Sequence, residues 1–226
     1  MGWKRGKLTR DEPTKPLLRG KIHFVGFFLF LLLGTSLIII SKNEITRLCL
    51  CIYLLSMLML FGTSSVFHTT PWRNNSVESF IQKADHASIF LLITGTYTPV
   101  IILFFDLTKS WPLAVLFIAW FIGISGVAKS LLMENPPKIF NVLFYFACGL
   151  TVAPVTHKVY EAIGLFKTLC MGMGGVFYLL GGTIYGIEWP DPHPKFYGYH
   201  EVFHSLTLIA NFCFLLPIIL TVIKGI

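Results

Sequence analysis

Seven stretches of this chain are apolar for long enough to cross a lipid bilayer, and no other feature limits its fold so severely. A helix of about 20 apolar residues spans the hydrocarbon core. In order the stretches cover residues 23–40, 45–67, 76–105, 111–132, 139–157, 161–187 and 199–223. Lipid offers no partner to an unpaired peptide group, so only helices and closed barrels can span it. These runs are continuous rather than alternating, which excludes a barrel. The connections are short, so successive spans are expected to be antiparallel neighbours. The sequence therefore predicts an all-α seven-helix transmembrane bundle over residues 22–226, with no repeat and no second domain. Composition agrees: 54% of the 226 residues are hydrophobic and 13% are charged, where soluble domains carry about a quarter charged.

The net charge of +7 is concentrated in residues 1–21, a basic arm where Lys4, Arg5, Lys7, Arg10, Lys15, Arg19 and Lys21 face only Asp11 and Glu12. Basic residues before a span mark the cytoplasmic side and meet anionic headgroups. Arg73, Lys83, Lys129, Lys138 and Lys195 would join that side, against Lys42, Arg47, Lys109, Lys158, Lys167 and Lys224 on the other. The bias is about two to one for a cytoplasmic N-terminus, and seven crossings then put the C-terminus outside. The expected location is the cell membrane, or the inner membrane in a bacterium, with membrane lipids as partners. The arm lacks the aromatic and groove-reading elements of a nucleic-acid binder. Five cysteines are scattered through apolar runs without a C-x-x-C pair, which suits packing better than disulfides. The first run is too long for a signal peptide and lacks a clear cleavage site.

Within this apolar frame, polar residues gather at one depth. His200 and His204, four apart, lie on one face of a helix, one turn from each other, which is how a helix offers two nitrogens to one ion. Ser64 and His68 share a face at the end of the second run, Asp85 and His86 open the third, and His23 opens the first. Three neutral imidazoles, His68, His200 and His204, with one open position make a common catalytic zinc arrangement. Such an ion polarises a water and lowers its pKa toward about 7. Asp85 could then accept a proton, and Ser64 could donate to the water or to a developing oxyanion. A histidine pair alone is a weak signal, since such side chains also sit hydrated at span ends. Haem fits poorly, because adjacent turns of one helix cannot serve both faces of a porphyrin. His157 lies at the opposite end and belongs to no cluster. Gly182 and Gly186 form a G-x-x-x-G suited to packing inside the bundle, and Pro99, Pro154 and Pro217 are expected to kink their spans.

Three separated blocks carry a family resemblance. Ser64-Ser-Val-Phe-His68, the stretch from Asp85 to Pro99, and Gly198-Tyr-His-Glu-Val-Phe-His204 resemble the hemolysin III family. That family is a branch of the progestin and adipoQ receptor proteins. Lys15-Pro-Leu-Leu-Arg-Gly20 and the loop Trp189-Pro-Asp-Pro-His-Pro194 extend the resemblance over nearly the whole chain. It implies zinc bound by His68, His200 and His204 near the cytoplasmic face, with Asp85 and Ser64 beside it. A relation to alkaline ceramidases implies hydrolysis of a lipid amide or ester. Two other readings stay open: a structural zinc in a receptor or signalling protein, and a haemolytic pore, for which Asp85 and Glu201 are thin support because no ring of charges is evident.

Overall fold

A computed structural model describes residues 16–133 and 137–225; the basic arm as far as Lys15 lies outside the described residues. The helices are α1 (Lys21–Ile40), α2 (Glu44–Thr69), α3 (Asn75–Phe104), α4 (Ser110–Leu132), α5 (Lys138–Gly149), α6 (Thr156–Ile187) and α7 (Tyr199–Ile223). A 3-10 segment, Leu150–Val155, joins α5 to α6. No strand occurs among the described residues beyond an isolated bridge between His193 and Tyr197.

Local chemistry explains the boundaries. Asn43 caps α2 by accepting from the Thr46 amide at 3.1 Å, and Asn74 caps α3 by accepting from Ser76 and Val77, satisfying amides that a first turn leaves free. Pro71 follows the end of α2 closely, where proline cannot continue a helix. Pro112 sits in the first turn of α4, where it is tolerated. Pro99 and Pro217 lie inside α3 and α7, which continue through them.

Sequential neighbours pack on each other from α1 to α4, α6 packs along α7, and α1 also meets α7. Helix α3 reaches α2, α4, α5 and α7. The enclosed core is built by Phe30, Tyr53, Phe61, Leu92, Ile101, Leu215 and Ile218. Outward-facing side chains are also large and apolar: Phe28, Leu32, Leu55, Phe117, Phe121 and Leu169 are all more than half exposed. Water would penalise so continuous an apolar exterior, whereas lipid does not. The protein is a multi-pass membrane protein.

Among the described residues, six helical stretches are long and apolar enough to cross a membrane, the fifth being the whole 50-residue run Lys138–Ile187. The sequence placed two separate spans there, divided near residues 158–160. Helix α5 instead ends after 12 residues, and Pro154 lies in the 3-10 turn that follows. Proline lacks an amide hydrogen and crowds the carbonyl four residues back, which disfavours α geometry. A second break falls at Gly164, with φ 75° and ψ 171°, a conformation glycine tolerates. The run also folds back on itself. Lys138 at its start hydrogen-bonds Glu188 just past its end, and Gly182 meets Phe146, where an added Cβ would come within 2.8 Å. Gly186 faces Val142, so the G-x-x-x-G packs within the bundle, as its spacing suggests.

Candidate metal centre

Three helix ends converge on the polar cluster. The last two turns of α2 carry Ser64 and His68, the third turn of α3 carries Asp85, and the opening turns of α7 carry His200 and His204. The start of α7 is fixed from both sides. Asp191 Oδ1 accepts from the Tyr199 amide at 2.9 Å, and Glu201 Oε2 accepts from the Gly198 amide at 2.9 Å, as N3 glutamates do in capping boxes. The end of α2 is steadied by Trp72, whose Nε1 donates to the Phe67 carbonyl at 2.9 Å.

His68, His200 and His204 each offer a ligand nitrogen, and these lie within 4.8 Å of one another. The Nε2 atoms of His68 and His200 are 3.1 Å apart. Nitrogens at the usual zinc distance in a tetrahedron are about 3.3 Å apart, so the pair has the right separation. The rings of His200 and His204 lie 4.5 Å apart at 63°, and those of His68 and His200 lie 4.6 Å apart at 81°. His204 is 2% exposed, and its Nδ1 has no hydrogen-bond partner in the protein. A buried imidazole nitrogen without a partner is costly, and a site built for an ion leaves such atoms. The residues present fit a metal.

Asp85 Oδ2 stands 3.8 Å from His68 Nε2. That is too long for a direct hydrogen bond, and it sets the carboxylate beside the ligand nitrogens. The buried Ser64 hydroxyl interacts with the same carboxylate. All five residues singled out in the sequence are therefore together. His23 is there too, but in another role. Its ring stacks on His204 at 3.7 Å and 7° and meets Phe61 edge-on at 4.9 Å. Imidazole lone pairs lie in the ring plane, so two parallel stacked rings cannot share one ion. His23 holds the His204 ring flat instead. His86 is not in the metal-capable group, and its carbonyl accepts from the Tyr145 hydroxyl at 3.3 Å. His157 is exposed, in the first turn of α6.

The structure adds three residues. Glu201, fully buried between the two α7 histidines, is paired with Arg19 from the segment before α1. The Tyr185 ring packs edge-on against His200 at 5.6 Å. For Glu201 a signal existed, since His200-Glu-Val-Phe-His204 conforms to H-E-x-x-H. Nothing in the sequence marks Arg19 among the other cations of the arm.

Comparison with known proteins identifies a family. A family model described as Haemolysin-III related matches residues 12–215. The Hemolysin-3 homolog of Bacillus subtilis is 24% identical over 189 residues, covering 82% of this chain and 84% of that protein. The human Monocyte to macrophage differentiation factor is 27% identical over 164 residues, covering 70% of this chain and 64% of that protein. The Adiponectin receptor protein of Drosophila melanogaster is 24% identical over 211 residues, covering 86% of this chain and 46% of that protein. The chain thus spans most of the Bacillus relative but less than two thirds of the human and fly proteins. With a match running from within the basic arm into α7 and enclosing every residue of the cluster, this chain belongs to the Haemolysin-III related family.

Proposed function

We propose that this protein is a zinc-dependent membrane hydrolase acting on an amide or ester of a lipid, with His68, His200 and His204 as the ligands. The observation that carries the reading is a three-imidazole cluster with a carboxylate oxygen 3.8 Å from one of its nitrogens. Neutral imidazoles with a vacant fourth position suit zinc, whereas magnesium and calcium prefer oxygen donors. Zinc bound there supplies Lewis acidity, which polarises a carbonyl and makes water a better nucleophile at neutral pH.

The chain's own groups have separate tasks. Asp85 accepts the proton of the attacking water on its carboxylate. Ser64, whose hydroxyl donates to that carboxylate, fixes its orientation. His23 and Tyr185 pack against the ligand rings and limit their motion. The lipid-facing helix surfaces suit a substrate that arrives from the bilayer.

The same reading has the chain cross seven times from a cytoplasmic N-terminal arm, ending outside. The fold-back of the 138–187 run supports two crossings there. Basic residues also separate by end. Arg19 and Lys138 contact the α7 N-terminal region, while Lys167 bonds Thr221 near the α7 C-terminus. By the positive-inside rule the centre then lies at the cytoplasmic leaflet of the cell membrane.

Metal analysis of protein purified without chelator, beside His68→Ala and His204→Ala, tests the ion. Zinc near one equivalent that both variants lose is expected, and metal-free wild-type protein no less stable than the variants would defeat the reading. Asp85→Asn tests the chemistry: turnover of a lipid amide should fall at least about a hundredfold while metal and fold persist. If the wild type turns over no lipid amide or ester, the metal only ties α2 to α7 and the protein is a receptor or a pore.

A further inference from the structure

His200-Glu-Val-Phe-His204 has the H-E-x-x-H form in which metalloproteases use the glutamate as general base. The structure gives that glutamate different work. Both of its oxygens are taken, Oε1 by Arg19 Nε and Oε2 by the Gly198 amide, and the residue is 0% exposed. On the helix, Glu201 lies about 100° from His200 and about 60° from His204, on the flank of the metal-facing side. A glutamate there is long enough to swing onto an ion held by those imidazoles.

Arg19 is itself anchored. It belongs to a short segment whose Leu17 and Leu18 amides donate to the carbonyls of Lys195 and Phe196 at 3.0 and 3.2 Å. The next residue, Gly20, has φ 76°, and a Cβ there would lie 2.9 Å from His68 Cβ. One segment thus touches the α2 ligand directly and the α7 ligands through Glu201.

We propose that Arg19 is a positioning residue that withholds Glu201 from the ion, keeping the fourth coordination position open and leaving Asp85 as the working carboxylate. A charge-assisted bond from arginine is strong enough to hold a carboxylate in place. Removing one partner of a buried pair leaves a charge that must find another cation, and an ion on the two flanking imidazoles is one. This inference rests on the metal reading above.

The test is cobalt(II) loading of the full-length protein in detergent, read by visible absorption, which is intense for four-coordinate sites and weak for higher coordination. Arg19→Gln is expected to lose roughly half of the wild-type band as Glu201 joins the ion. The double variant Arg19→Gln/Glu201→Gln should recover it, since a neutral amide keeps the Gly198 cap and does not seek the metal. An unchanged band in Arg19→Gln overturns the proposal, as does a double variant that recovers nothing. Should Arg19→Gln fail to fold, Arg19→Lys is read in the same way: a weakened band that added Glu201→Gln restores supports the proposal, and an unchanged band overturns it. Wild-type protein that binds no cobalt would instead refute the metal reading itself.

Discussion

Tyr53→Phe is the most direct probe of what holds the two ligand-bearing helices together. The Tyr53 hydroxyl donates to Asn211 Oδ1 at 2.7 Å, and Asn211 Nδ2 reaches Met57 Sδ at 3.0 Å. Both Tyr53 and Asn211 are 0% exposed, and Asn211 lies about 10 Å along α7 from His204. Deleting the hydroxyl leaves the Asn211 side-chain oxygen without a donor. In a soluble core such an orphan costs about 1–3 kcal/mol. Hydrogen bonds between membrane helices average nearer 0.6 kcal/mol, because the unfolded chain in lipid also finds partners. Thr96, which faces the same hydroxyl, keeps its own bond to the Leu92 carbonyl, so only one group is orphaned. The expected loss is therefore about 1 kcal/mol. Asn211→Leu added to Tyr53→Phe should recover most of it, since replacing both partners with apolar groups is close to neutral. Reversible unfolding in mixed micelles measures the wild type, Tyr53→Phe, Asn211→Leu and the double variant, with zinc content as a control that should not move. A Tyr53→Phe variant as stable as wild type, or a double variant as weak as the sum of its parts, would refute the argument that this bond aligns α2 with α7.

Three further outcomes follow from the same structure. Stripping the metal with a chelator should lower the unfolding free energy by about 4 kcal/mol from its value at a thousandfold excess over Kd, read as a thermal shift that His68→Ala no longer shows. Gly20→Ala forces a Cβ into a left-handed conformation and onto His68; it should cost about 1–2 kcal/mol and reduce zinc occupancy in the same preparation. In the loop after α3, the Thr108 hydroxyl and amide bond Asp106 and hold its pKa below the ordinary carboxylate value. Stability from that bond is complete above the unfolded pKa and is lost as pH falls through the lower folded value. Asp106→Asn should therefore flatten the acid side of the stability profile, measured by unfolding across that range.

Much of the fold was legible because lipid makes helices obligatory and apolar run length almost a direct readout of crossings. The site was legible for a related reason. Polar residues are so costly in such runs that Ser64, His68, Asp85, His200 and His204 stand out at one depth without any knowledge of packing. The region from 138 to 187 was harder to read. A continuous apolar run does not reveal where a chain turns, and the breaks fall where Pro154 cannot stay in α geometry and Gly164 can leave it. Arg19 was hidden for a different reason. In a segment crowded with cations, its distinction is tertiary: it meets a glutamate 182 positions away.

Charge balance around the centre gives a final argument, and it separates the ion's role from that of the fold. Glu201 is neutralised by Arg19. Asp85, with its side chain 13% exposed, has no lysine or arginine partner among the described residues, only the His68 imidazole at 3.8 Å. An uncompensated carboxylate in a bundle interior is expensive, and a dication on the three imidazoles is the charge that offsets it. Asp85→Asn should thus act with opposite sign in the two states. Without metal, the neutral amide removes an unpaired charge while keeping an acceptor for Ser64, so the variant should be the more stable protein by about 1 kcal/mol. With metal, the variant loses a favourable charge interaction and should be the less stable one. Unfolding curves for both proteins, with chelator and with saturating zinc, give the four numbers needed. If Asp85→Asn is the weaker protein in both conditions, the carboxylate is balanced by something other than the ion, and its placement says nothing about a metal.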